Sequence, residues 1–222
     1  MPTNEFIPYE SKRYEPEEMI DRANAFYNLM DQRRSIREFS DQPVPREVID
    51  QLIRTASTAP SGAHKQPWTF CVLTNAEIRR AVREKAEEEE RKSYDGRMSG
   101  QWLRDLQPLG TDHNKPFIEN APYVVVVFKR AYEFNPDGSK HQNYYVNESV
   151  GIAVGMFLAA AHHAGLATLT HTPSPMNFLA EILHRPENER AYVLIPVGFP
   201  ADNARVPNLK RKPLEEVCVY YD

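Results

Sequence analysis

Six consecutive apolar residues, Tyr123-Val124-Val125-Val126-Val127-Phe128, constrain this chain more than any other stretch of it. The run is short, nearly continuous and β-branched or aromatic throughout, which predicts a buried strand. Residues 68–73, 168–172 and 192–197 read the same way, with 217–221 a further strand at the C-terminus. Helical spacing falls between them. Pro16-Glu17-Glu18 has the form of a helix start, because proline suits the first turn and acids the positive end of the dipole. Ala23, Phe26, Tyr27 and Met30 then recur up to Arg33. Pro45-Arg46-Glu47 opens a second helix striped with Val48, Leu52, Ile53 and Ala56 and closed by Pro60 and Gly62. Residues 78–94 predict an exposed, charged helix, and residues 147–163 a buried one rich in alanine and glycine. No GxGxxG or GxxxxGK[ST] follows any strand. The expected class is α+β or layered α/β, without a glycine-rich phosphate loop.

Charge and composition remove several functions. Lys plus Arg number 27 against 31 Asp plus Glu, a net charge of -4. Nucleic acids and acidic membrane surfaces call for the opposite balance, so neither is an expected partner. Cys71 and Cys218 are the two cysteines, with no CxxC, and the 7 histidines include no HExxH, so no metal site is expected. The longest apolar stretch, 150–161, falls short of the ~20 residues that span a bilayer. Residues 1–14 carry Glu5, Glu10, Lys12 and Arg13 and no apolar run, so a cytoplasmic location is expected.

Four clusters can carry chemistry. Arg33, Arg34 and Arg37, in Arg33-Arg34-Ser35-Ile36-Arg37, offer positive charge, and Ser35 a hydroxyl. Lys210-Arg211-Lys212 is a second basic cluster. Taken alone, both read equally well as solvated surface. The turn Ala59-Pro60-Ser61-Gly62-Ala63-His64 can present backbone N–H groups to a ligand, although taken alone it is an ordinary proline and glycine loop. Glu90 and Tyr94 are four residues apart and share a helix face, a row that Met98 and Trp102 extend. Lys115 follows a break at 108–110, so its ammonium can fold back towards Glu90. A carboxylate, a phenol and an ammonium meeting at one spot can bind a zwitterion. Spacing alone also allows an exposed helix with Tyr94 lying on its surface.

The blocks RRSIREFSDQPVPREVIDQLIRTASTAPSGAHKQPW, SVGIAVGMFLAAAHHAGL and PVGFPADNARVPNLKRKPLEEV, in this order and spacing, resemble the nitroreductase superfamily of flavin mononucleotide (FMN) enzymes. The resemblance implies an α+β fold, a sheet flanked by helices, in a homodimer whose subunits exchange terminal segments to build paired flavin sites. Residues 83–115 are similar to the active-site lid of the dehalogenating branch, the iodotyrosine deiodinases, and PYESKRYEPEEMIDRANAFYNLM to their soluble part. The expected organisation is one domain, 1–222, with an N-terminal arm and helix over 1–32 and a lid over 83–115.

By resemblance, Arg33, Arg34, Ser35, Arg37 and Arg211 hold the phosphate, ribityl chain and ring edge of FMN, and Pro60, Ser61 and Gly62 approach it. Thr172 is the implied catalytic contact, a hydrogen bond to the flavin N5, with Thr170 and His171 nearby. The Ala63 N–H meets the substrate phenolate, while Glu90, Tyr94 and Lys115 clamp its amino-acid end. The implied reaction removes halide reductively from 3-iodotyrosine and 3,5-diiodotyrosine, and from bromo- and chlorotyrosine. Reduced FMN carries this chemistry, since a side-chain nucleophile is poorly suited to an aryl halide. NADPH or a separate reductase is the implied electron source. A general FMN-dependent nitroreductase or quinone reductase is the alternative, and the Glu90, Tyr94, Lys115 set counts against it.

Overall fold

The computed structural model describes residues 6–222, so the first five residues of the expected N-terminal arm lie outside the described residues. The chain falls into two compact units, Met1–Arg33 and Arg34–Asp222. The first contains helix α1 (Pro16–Asp31), with Pro16, Glu17 and Glu18 in its opening turn as expected. Arg22 stacks over the Tyr14 ring at 4.1 Å and pairs with Glu18 at 2.9 Å. The apolar side chains Met19, Ile20, Phe26 and Tyr27 are each more than half exposed.

The second unit is built on a four-stranded antiparallel sheet of β1 (Trp68–Leu73), β2 (Tyr123–Arg130), β5 (Ala167–Thr168) and β6 (Glu189–Gly198), in the order β1-β2-β6-β5. The apolar run that dominates the sequence is β2, at the centre between β1 and β6. Its side chains alternate between two layers. Val125 and Val127, with Ile195 and Val197 of β6, meet α2 (Arg46–Ala56) and α6 (Val146–His163) on one face. Val124, Val126 and Phe128, with Leu194, meet α3 (Ala76–Lys92), α5 (Phe117–Asn120) and α7 (Asn177–Ile182) on the other. All of these strand side chains are fully buried. Each contributes about 1.5–3 kcal/mol relative to an exposed position.

Several expectations need correction. In α2 the deepest residues are Ile49, Leu52 and Ala56, while Val48 and Ile53 flank them half-buried. Helix α6 is buried on one face only, with Ile152 exposed on the other. The strand expected over 168–172 shrinks to Ala167–Thr168 because Pro196, opposite Leu169, has no N–H to return. Pairing resumes at His171, which exchanges both backbone hydrogen bonds with Leu194 at 2.8 and 2.9 Å. No strand forms over 217–221. Val217, Val219, Tyr220 and Tyr221 follow the short turn Leu214–Glu216 as exposed, irregular chain, with no strand among the described residues to complete a ladder. The hairpin β3 (Tyr132–Phe134) and β4 (Lys140–Gln142), together with α4 (Gly100–Leu106), α5 and α7, are elements that the sequence pattern did not signal.

Candidate functional site

Four successive glutamates on α3 meet four different environments, because Val82 and Ala86 fix which face of the helix enters the core. Asn75 sets the start of the helix by accepting the Ile78 N–H at 3.0 Å. Glu87 is buried, and its carboxylate accepts the main-chain N–H of Lys115 at 2.8 Å. Glu88 points outwards to Lys85 and Lys92 at 2.8 and 2.7 Å, and these two ammonium groups pull its pKa down to about 2. Glu89 pairs with Lys92 and Arg97 at 2.7 and 2.6 Å. Glu90 turns into a cavity of about 260 Å³, where its Oε2 lies 3.4 Å from the Lys115 Nζ.

Beyond Lys92 the chain leaves the α-helix. Residues Ser93–Arg97 form one wide π turn, closed by the Met98 N–H donating to the Ser93 carbonyl at 2.9 Å. Tyr94 therefore stands on this turn rather than on α3, as the 78–94 helix would have placed it. Its hydroxyl donates to the Thr111 carbonyl at 3.0 Å. Helix α4 follows, capped by Ser99, and the chain reverses at Gly110, whose φ of +59° suits a residue without a side chain. This reversal returns the chain to Lys115.

The electrostatics of the cavity follow from burial. Lys115 is 3% exposed, and burial holds its ammonium below the ordinary lysine value even though Glu90 pulls it upwards. Its Nζ also donates to Thr111 Oγ1 at 3.3 Å and to the Asp112 carbonyl. Burial and the negative charge of Glu90 raise the Tyr94 phenol. Burial also lowers Arg37. His171 packs edge-on against Phe117, with ring centroids 5.4 Å apart. Burial first, then the charges of Lys115 and Arg37, bring its pKa down to about 3, so it is neutral near pH 7. Its Nε2 lies 3.9 Å from the Glu90 Oε1 and makes no hydrogen bond.

Residues 34–37 reach the cavity by running beside β5. The Ile36 N–H donates to the Thr168 carbonyl at 3.1 Å, and Ser35 bridges Thr168. That register brings Arg37 to the cavity that also holds Thr170, His171 and Thr172. Met98 and Trp102 line it too, as do Ser93, Leu106, Thr111 and Ser174, which carried no signal in the sequence.

Other expected site residues stand elsewhere. Pro60, Ser61, Gly62 and Ala63 do not line this cavity. They form a separate turn in which the Ser61 Oγ accepts the Gln66 N–H at 2.9 Å. A side chain at Gly62 would lie 2.8 Å from the Tyr144 carbonyl oxygen, so the close approach there calls for glycine. Ala63 adopts φ +49°, and its N–H finds no acceptor among the described residues. Arg34 and Ser35 sit half-buried beside β5, Arg211 lies in exposed chain after β6, and Arg33 belongs to the N-terminal unit.

The nitroreductase family model matches residues 30–199. An iodotyrosine deiodinase of Haliscomenobacter hydrossis is 59% identical over 216 residues, covering 97% of each chain. Iodotyrosine deiodinase 1 of Homo sapiens is 44% identical over 97% of this chain and 75% of its own. Among solved structures, oxidized iodotyrosine deiodinase bound to FMN and 3-iodo-L-tyrosine superposes with a TM-score of 0.78 at 28% identity, over 89% of this chain and 98% of that one.

Proposed function

The chain belongs to the nitroreductase family, and from that premise we propose that it is an FMN-dependent iodotyrosine deiodinase, which removes halide reductively from halotyrosines. The observation that carries this reading is the pair of partly buried Glu90 and buried Lys115, 3.4 Å apart, in the cavity that Tyr94 and Thr172 also line. A substrate zwitterion exchanges with that pair: its ammonium takes Glu90, and its carboxylate takes Lys115 and the Tyr94 hydroxyl. Because the π turn and α4 are attached at this point, the amino-acid end helps close the lid, and remote binding energy excludes water from the ring. 3-Iodotyrosine, 3,5-diiodotyrosine and the bromo and chloro analogues all present the same end.

The residues fit FMN. Arg37 is a partly buried cation that forms no ion pair among the described residues, beside two threonines whose residues are solvent-exposed. Arg34, Ser35, Arg37 and Arg211 would hold its anionic and polar edges, with Thr172 the hydroxyl contact. Reduced FMN supplies the electrons for carbon–halogen cleavage. The Ala63 N–H holds the phenolate oxygen of the substrate. That turn does not line the cavity of its own chain, which supports a homodimer in which a second copy supplies it. Electrons enter from NADPH or from a separate reductase. Among the described residues no helix is long and apolar enough to cross a membrane.

The test is anaerobic. The bound flavin is reduced chemically, 3-iodotyrosine is added, and iodide release and flavin reoxidation are followed together. One iodide per reoxidised flavin is expected. A flavin that stays reduced with iodotyrosine but is oxidised quickly by a nitroaromatic identifies a general nitroreductase instead.

A further inference from the structure

We propose that Glu87, which lies outside the cavity, is a positioning residue that sets where Lys115 stands and so favours substrates with an amino-acid end. The inference rests on the reading that Lys115 receives the substrate carboxylate.

Lys115 follows a long loop. From Ser93 to Asn114 no residue is buried, so that stretch cannot hold the lysine in place by packing. Two main-chain hydrogen bonds do so instead. On one side the Lys115 carbonyl accepts the Ile118 N–H at 3.1 Å, which ties it to α5 and to the buried Phe117 and Ile118. On the other, the Lys115 N–H donates to the Glu87 Oε1 at 2.8 Å. The same oxygen accepts the Arg83 Nε at 2.8 Å, and the Arg83 Nη1 reaches the Glu119 Oε1 at 3.2 Å.

A buried carboxylate is costly unless it is paired and hydrogen-bonded. Here burial pulls the Glu87 carboxyl up, and the Lys115 N–H and the Arg83 guanidinium together hold it below the usual carboxylate range. Glu87 therefore stays charged in the folded protein. It precedes Glu90 by three residues on α3, close to one helical turn. Both charges of the clamp, Glu90 directly and Lys115 through Glu87, are thus referenced to one helix. The main chain of Lys115 is held by α3 and α5, and the loop between the two charges adds the Thr111 and Asp112 contacts to its Nζ. A ligand-binding group held this way loses affinity when its support is removed, although the support never touches the ligand.

The experiment compares kcat/KM for 3-iodotyrosine with that for 2-iodophenol, which has the ring and the halogen but no zwitterion. Parent, Glu87→Ala, Glu87→Gln and Glu87→Asp are assayed as FMN-loaded enzymes. Glu87→Ala removes the acceptor, and the selectivity ratio is expected to fall about tenfold through the KM of iodotyrosine. Glu87→Gln keeps an oxygen for the Lys115 N–H and is expected to hold the ratio within about threefold. Should the alanine variant fail to fold, Glu87→Asp, one methylene too short, must show the fall. Equal losses on both substrates, or an unmoved ratio, overturn the proposal. A parent enzyme with no preference for iodotyrosine overturns instead the reading on which it rests.

Discussion

Helix α3 and the segment after it both contribute to the cavity, yet they hold their side chains by different means. α3 buries Val82, Ala86 and Glu87, the first two in the apolar layer that also contains Phe117 and Ile118 of α5. Residues 93–114 bury nothing and are shaped by a π turn, a capped short helix and polar contacts to the chain's own carbonyls. Glu90 and Lys115 belong to the packed side, and Tyr94, Met98 and Trp102 to the unpacked side. A site divided in this way has a rigid charged floor and an adjustable cover. Elements that move on ligand binding are drawn from regions with few buried contacts.

Truncation on each side separates the two roles most strongly. Ile118→Ala empties a fully buried position and is expected to cost about 2–5 kcal/mol, read as a lower melting temperature. Trp102→Ala, at a side chain 53% exposed, is expected to change stability by no more than about 0.5 kcal/mol while raising the KM for 3-iodotyrosine. If the two variants melt alike, the division between floor and cover is wrong.

A smaller effect comes from His171, which lies against the floor. The fold keeps its imidazole neutral down to about pH 3, whereas the unfolded chain takes up a proton near its ordinary value of 6.5. Below about 6.5 the unfolded state therefore binds the extra proton, and stability present above that value is lost as pH falls towards 3. Denaturation midpoints measured from pH 7 down to pH 4 are expected to fall more steeply in the parent than in His171→Asn. Parallel slopes would remove His171 from the account.

The smallest effect is expected at Glu88. Its depressed pKa reflects two solvent-exposed lysine partners, which are screened by salt. Glu88→Gln should melt with the parent, and a clear loss of stability there would mean that the outer face of α3 matters as much as the inner one.

Much of this was legible beforehand. The centre of the sheet could be read from Tyr123 to Phe128, because six apolar residues in a row leave no polar face to solvate. Helical spacing and a chain reversal allowed Glu90 and Lys115 to converge without requiring it, and both stand at the cavity. The short helices and the β3–β4 hairpin were not legible, since their apolar positions are too few to set a period. The end of the strand at 168 depended on Pro196, a residue 28 positions away that faces it only once the sheet has formed.

The run Glu87-Glu88-Glu89-Glu90 marks the boundary most sharply. Local pattern is enough to put these residues on a helix, where they point in four directions, because each residue turns the chain through a fixed angle. Which direction is the core, which is solvent and which is the cavity depends on long-range packing. That choice follows from the burial of Val82 and Ala86 against strands and helices remote in sequence, and four identical side chains carry no local signal of it.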